Sequence, residues 1–555
     1  MDNFERDNRP HKGVKAYSNR AYRKGAPQIG FMVPLGFVIL GTLMLSACGG
    51  GGGGGGGGST GSGSGKIAVT QPPVSRSSER LPLSFGASYT SEYNRQTGLD
   101  DIGVASAYDA GYAGFNVRAG VVDTGVYQAH SQLSHINAGY DAHGSSKGLV
   151  DPDGHGTHVA SLMAASREGD AMHGVAPHAW VNAYRIFDHN GSFAGKSGGQ
   201  IIPSVVSHAV SSNIMLLNNS WASNYEVTDL SKATTRSVLG AELPAWEKAV
   251  DAGMVMVWAA GNQGDDEVSV RAGLPYHYSG VKKGWLAVVS FDPNGKEPRY
   301  TNRCGVARDW CLAAPGGGDS VSSLGLYGAH SGGGYERRSG TSMAASHVSG
   351  ALALVLDAFP QLTPQQAAVR LLETATYEGL ETADGCTISK CDAAQMADVF
   401  GQGRVSIPDA IAPIGSLSLA ASAAPVSVNQ ARIDCGLVID EALFSAMTGV
   451  RFIAHDSFDN AAFALPATAF LSSPRTRFQT PLQKADIHRL ASSQDTPALG
   501  LASYIGGLAL IQMRWHRMGA CMISHSVRCK IGQALAQQIT KAHGKVILAM
   551  IAIVR

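Results

Sequence analysis

Short apolar blocks alternate with amphipathic stretches over most of the middle of this chain. From about residue 96 that alternation is the pattern of a parallel sheet covered by helices. Asn116 to Gly125 holds Val117, Val121 and Val122 and closes on Asp123-Thr124-Gly125, a buried strand ending in an acid and a turn. Trp180 to Phe187 reads as another strand, and about Gln200 to Ser211 as a helix. Ile214 to Leu217 is a strand that runs into Asn218-Asn219-Ser220-Trp221. Ala245 to Ala252 reads as a helix tail, and Met254 to Ala260 as a buried strand ending in Gly261-Asn262. The apolar run Val348 to Phe359 continues a helix fed by Gly340-Thr341-Ser342-Met343-Ala344-Ala345. The pattern predicts an α/β domain with a mostly parallel central sheet flanked by helices.

In such sheets, ligand and catalytic groups collect at the carboxyl ends of strands. Asp123 stands there, although an acid before Thr-Gly is also ordinary turn chemistry. His155 and His158 fall in Asp153-Gly154-His155-Gly156-Thr157-His158, with a helix expected from near Thr157. The glycines beside His155 let a bulky chain approach its ring, so one histidine is a candidate base and the other structural. No Glu or Asp accompanies them along the helix as a zinc motif requires. Ser342 sits where the first N–H groups of a helix lack partners. It is either a plain N-cap or a nucleophile whose oxyanion those donors hold. Asn262, just past a strand, is either a turn residue or a side-chain oxyanion donor.

Composition narrows the class. The chain has 555 residues, too many for one ordinary domain, and a formal net charge of +1, which gives no electrostatic case for nucleic acid. Among the eight cysteines, Cys304/Cys311 and Cys386/Cys391 are close pairs without Cys-x-x-Cys spacing, as in short disulfide loops of an exported protein. Residues 1 to 28 are polar and basic, and Ile29 to Leu45 is apolar but broken by Pro34, Gly36 and Gly41. Basic, apolar and then small residues describe a secretory signal and make a poor permanent span. Gly49 to Gly58 is an unbroken run of glycine followed by a Ser/Gly stretch, which has no side chains to bury and reads as a flexible tether. Residues 66 to about 95 read as an irregular lead-in.

Four blocks resemble the signatures of subtilisin-like serine proteases: Val122-Asp123-Thr124-Gly125, His155-Gly156-Thr157-His158-Val159-Ala160, Ala259-Ala260-Gly261-Asn262 and Gly340 to Ala345. Their order Asp, His, Ser suits that family, as do the 32 residues from Asp123 to His155 and the 187 from His155 to Ser342. The resemblance covers roughly 100 to 412 and implies a three-layer domain. It implies Ser342 as nucleophile, His155 as general base and acid, Asp123 orienting the imidazole, and Asn262 with the Ser342 N–H as oxyanion hole. It also implies that Asn219, Ser220 and Trp221 pair with an extended protein or peptide substrate. No cofactor is implied for the chemistry. Structural calcium is left open, because its ligands are scattered and often backbone oxygens. Where the family has proline after its Met-Ala-Ala or similar run, this chain has Ser346.

Two finer resemblances concern location. Leu45-Ser46-Ala47-Cys48 resembles a bacterial lipoprotein signal, which implies lipidation at Cys48 and an outer-membrane or cell-surface anchor. The insert from Cys304 to Cys311 resembles the autotransporter branch of these proteases. The expected organisation is a signal over 1–48, a tether and lead-in over 49–95, a peptidase domain over 96–413, and a linker with an autotransporter remnant over 414–555. Only 142 residues follow Pro413, too few well-alternating strands for an outer-membrane barrel, so a truncated or frame-shifted end is expected. Gly500 to Ala509 reads as one strand and Val546 to Val554 as a helix.

Overall fold

The computed structural model describes residues 90–144, 146–169, 171–419, 426–427 and 451–466. The expected signal, the expected lipidation site Cys48, the glycine tether, and the Gly500–Ala509 and Val546–Val554 segments lie outside the described residues. One parallel sheet forms the centre, from β1 (Arg118–Asp123), β2 (Asn137–Asp141), β3 (Trp180–Arg185), β4 (Leu216–Asn219), β5 (Val255–Ala259), β6 (Trp285–Phe291) and β7 (Cys311–Pro315). Their spatial order is β2-β3-β1-β4-β5-β6-β7, and every neighbouring pair is parallel. The chain therefore starts mid-sheet, fills one side, then crosses to the other side of β1. That reversal between β1 and β4 opens a crevice at their carboxyl ends, which carry Asp123 and Asn219.

Both faces of the sheet are covered, so its strands are apolar at consecutive positions. On β5, Val255, Val257 and Ala259 face a core shared with the helices His155–Ala164 and Thr341–Ala358. Met256 and Trp258 face the opposite core, under the helices Gly198–Ser211 and Glu242–Asp251. Trp258 packs edge-on to Trp246 at 5.2 Å and stacks on Trp285 at 5.4 Å between centroids. Full burial of each large apolar side chain stabilises the fold by roughly 1.5–3 kcal/mol. Gly120 has no room for a side chain, because a Cβ would meet Leu217 at 2.5 Å and Tyr184 at 2.7 Å.

The core does not end at residue 413. Strands β10 (Leu417–Leu419), β11 (Val426–Ser427), β12 (Arg451–Asp456) and β13 (Ala462–Pro466) form an antiparallel sheet, preceded in sequence by the hairpin β8 (Leu326–Ala329) and β9 (Tyr335–Arg338). Leu417, Ala454, Phe463 and Leu465 are buried in the same cluster as Phe359 and Leu371. Arg370, on the helix Pro364–Glu373, is wholly buried beneath them. It donates to Asp456 at 2.9 Å, to Asp459 at 2.7 Å, and to the carbonyls of Ala410 and Ala412. A buried guanidinium is tolerated only with such a full set of acceptors.

Disulfides join Cys304 to Cys311 and Cys386 to Cys391, with Cα–Cα separations of 5.9 and 5.8 Å. The first brackets a 3₁₀ turn, Gly305–Trp310, that delivers the chain into β7. Among the described residues, no helix is long and apolar enough to cross a membrane.

Candidate active site

Asp123 is the last residue of β1, and its carboxylate turns toward the helix that starts at His155, two residues earlier than the sequence pattern predicts. The reason is Asp151. Its carboxylate accepts from the N–H groups of Gly154 and Thr157 at 2.8 Å each and from the Thr157 hydroxyl at 2.6 Å. Orphan donors of the first turn are thus satisfied from outside the helix. Close approach of that helix to β1 requires Gly156, where a Cβ would lie 2.1 Å from the Gly125 carbonyl oxygen.

The approach brings His155 Nδ1 to 2.7 Å from Asp123 Oδ1. The same oxygen accepts from the Thr124 N–H at 2.8 Å, which fixes the carboxylate. Asp123 is 1 % exposed and His155 7 %, so the pair is shielded from solvent. Burial lowers the proton affinity of His155. The charge and hydrogen bond of Asp123, helped by Asp153 and opposed by Arg338, outweigh it and hold the ring pKa above its ordinary 6.5. His158 is the structural histidine. Its Nε2 lies 3.2 Å from the Leu326 carbonyl oxygen, and burial, reinforced by Arg338 and His155, lowers its pKa to about 3.

Ser342 occupies the first turn of the helix Thr341–Ala358, and the N-cap there is Gly340, not Ser342. Ser342 is locked to the end of β4 by a reciprocal pair of bonds. Its hydroxyl donates to the Ser220 carbonyl at 2.9 Å, and the Ser220 hydroxyl donates to the Ser342 carbonyl at 2.7 Å. Asn218 Nδ2 donates to the Ser220 hydroxyl at 2.9 Å, and Ser349 donates to Asn218 Oδ1 at 2.8 Å. Ser346 continues the helix where a proline would lack the N–H, and its hydroxyl reaches the Ser342 carbonyl at 3.0 Å. In this state the Ser342 hydroxyl rests on Ser220, while the His155 ring is anchored on its Asp123 side.

Asn262 lies across from this serine. Its Oδ1 accepts from the Thr341 N–H and from the Thr341 hydroxyl, at 2.9 Å each. With the oxygen taken, the amide donors are presented beside Gly340, whose Cβ position is 3.3 Å from Nδ2. The Ser342 N–H, in the first helical turn, has no acceptor among the described residues. The Ser342 N–H and an Asn262 amide set beside Gly340 thus sit at the start of the helix that carries Ser342, and donors of this kind can stabilise a developing oxyanion.

The three expected substrate-strand residues play different parts. Asn219 is fully buried, with Nδ2 donating to the Leu217 carbonyl at 3.1 Å, so only its backbone is available. Ser220 touches Ser342. Trp221 packs among Phe187, Phe193 and Trp258, with the Arg271 guanidinium 4.8 Å over its ring. The sequence pattern does not single out Asp151, Thr341 or Arg338. Asp151 carried a legible signal, an acid shortly before a helix start. Among the described residues, no group of three or more His, Cys, Asp or Glu side chains is placed to hold a metal ion.

Residues 114–403, just over half of the chain, match the model of the subtilase family. The chain belongs to the subtilase family. This subtilase is 33 % identical over 282 residues to the thermostable alkaline protease of Halalkalibacterium halodurans, covering 51 % of this chain and 68 % of that one. It is 32 % identical over 269 residues to subtilisin DY of Bacillus licheniformis, covering 48 % and 87 %. Likeness to the extracellular serine protease of Serratia marcescens is 28 % over 371 residues, or 58 % of this chain and only 34 % of that longer one. Among solved structures, a cold adapted subtilisin-like serine proteinase is 27 % identical over half of this subtilase, with a TM-score of 0.39. Subtilases are serine endopeptidases and need no cofactor for their chemistry.

Proposed function

We propose that this subtilase hydrolyses peptide bonds in proteins with Ser342 as nucleophile. His155 takes the hydroxyl proton as Ser342 attacks the scissile carbonyl and returns it to the leaving amine. Asp123 keeps Nδ1–H pointed at itself and steadies the imidazolium that forms. Asn262 and the Ser342 N–H hold the oxyanion. An extended substrate adds as a strand along Ser220 to Ala222. When its backbone N–H takes the Ser220 carbonyl, the Ser342 hydroxyl loses its resting acceptor and turns to His155. The observation that carries this reading is the 2.7 Å bond from the His155 ring to the buried Asp123, together with a Ser342 N–H that has no acceptor among the described residues. Casein hydrolysis by the full chain tests it. Unmodified protein is expected to cleave, and Ser342→Ala to lose essentially all activity; equal cleavage by both would overturn it.

The site of action we propose is the outside of a bacterial cell. The basic and apolar N-terminal segments act as a signal, Cys48 carries the lipid, and the glycine run tethers the peptidase to the outer membrane. The Cys-bounded insert 304–311 supports descent from autotransporter proteases. The peptidase domain starts near residue 96 and, on the packing of β10–β13, reaches 466. Metabolic labelling with palmitate tests the anchor: label is expected on the native protein and absent from Cys48→Ser.

A further inference from the structure

We propose that Arg338 selects the residue directly after the scissile bond and favours an acidic side chain there. The inference rests on the endopeptidase reading above and names a part of the substrate that it leaves open. Arg338 is the last residue of β9, and only Ser339, Gly340 and Thr341 separate it from Ser342. The hairpin that carries it is seated on the His155 helix. The Ala329 N–H donates to Ser161 at 2.9 Å, and the Leu326 carbonyl lies 3.2 Å from His158 Nε2. At the hairpin tip, the Gly334 carbonyl meets His130 Nε2 at 2.9 Å. The strand is thereby held beside the N-terminus of that helix.

Arg338 Nη2 stands 3.4 Å from the Cβ position of Gly154, the residue before His155. Glu336 engages Nε alone, at 2.6 Å. Both Nη groups lack a protein partner among the described residues, and the side chain is 23 % exposed. The neighbouring carboxylates are committed elsewhere: Asp123 to the His155 ring, and Asp153 to the His155 N–H at 3.0 Å. What remains is a half-sheltered guanidinium fork, a geometry that matches a carboxylate.

The chemistry says which part of the substrate meets it. The Ser342 Oγ–carbon bond forms, the carbon–nitrogen bond breaks, and the hydroxyl proton passes through His155 to the departing amine. The first residue of the amine product must therefore lie over the His155 ring. The acyl half lies on the other side, along Ser220 to Ala222 and under Asn262. Arg338, beside Gly154, borders the amine half.

The test compares two peptides that differ only in Asp or Ala directly after the scissile bond, and reads the ratio of their kcat/KM in each protein preparation. The ratio cancels any difference in folded fraction between variants. The unmodified chain is expected to prefer Asp by about tenfold at low ionic strength, about 1.4 kcal/mol, with the preference shrinking as salt is added. Arg338→Gln should bring the ratio to about one, Arg338→Lys should keep part of it, and Arg338→Glu should invert it. A ratio near one in the unmodified chain overturns the inference, as does a preference that survives Arg338→Gln. In either case, cleavage of the Ala peptide leaves the endopeptidase reading standing; cleavage of neither peptide overturns both.

Discussion

Replacement of Asn262 by leucine isolates one half of the oxyanion site. The Asn262 side chain is itself exposed, but its loss leaves the buried Thr341 N–H without its acceptor, so stability should fall by about 1–3 kcal/mol while the variant stays folded. What disappears is an amide donor whose direction was set by two bonds from Thr341 to Oδ1. Removal of one such donor from a subtilisin costs about 2.7–4 kcal/mol of transition-state stabilisation, or 10²–10³ in kcat. The donor meets charge that exists only in the transition state, so KM should hardly move. Thr341→Val gives a graded control. It removes one neutral hydrogen bond from Oδ1 and keeps the backbone bond, a loss of about 1 kcal/mol, or roughly fivefold in kcat. The two losses act through the same amide, so Thr341→Val should cost little more once Asn262 is leucine. The assay is steady-state cleavage of a fluorogenic peptide, with thermal melts confirming that each variant is folded. A kcat loss below tenfold for Asn262→Leu, or an effect confined to KM, would refute the reasoning.

Further outcomes follow from other contacts. His155 acts as a base only when deprotonated, so kcat/KM should fall as pH drops through its pKa, with the limb above 6.5. Asp123→Asn should move that limb to lower pH and cut kcat by about 10⁴, as a pH-rate profile would reveal; an unmoved limb would argue against the pairing. Asp456→Ala leaves the buried Arg370 short of an acceptor and should destabilise the domain by about 3–5 kcal/mol in urea unfolding. A loss under 1 kcal/mol would mean that β10–β13 do not stabilise the peptidase core. Cys304 and Cys311 are wholly buried, whereas Cys386 and Cys391 are partly exposed. Mild reductant followed by alkylation and peptide mapping should therefore label Cys386 and Cys391 first, with Cys304 and Cys311 reacting only after denaturation.

Much of this arrangement was legible in the residues, and the parts that were not share a cause. β1, β4 and β5 are almost wholly buried strands, so their apolar runs stand out without any partner being known. β2 is half-buried along its whole length and contains Gly139, where the register with β3 shifts, so it leaves little apolar signal. The β10–β13 sheet is invisible for another reason: Leu417 pairs with Asp456, 39 positions further along the chain, and only that pairing creates the apolar face. At the site, Asp123, His155, Asn262 and Ser342 were readable because each sits in a short glycine-flanked block at an element end. Thr341 and Arg338 were not, because their importance lies in what they touch. Thr341 gains meaning from an oxygen 79 residues away, and Arg338 from a helix start that precedes it by 183 residues.

The most direct measurement is covalent labelling of the full chain with a fluorophosphonate, with the modified residue identified by peptide mass. A single adduct is expected on Ser342, forming at a rate that follows the same acid limb as peptide cleavage and collapsing in His155→Ala. An adduct on another residue, or undiminished labelling of Ser342 without the His155 ring, would contradict the assignment of these side chains to one catalytic unit.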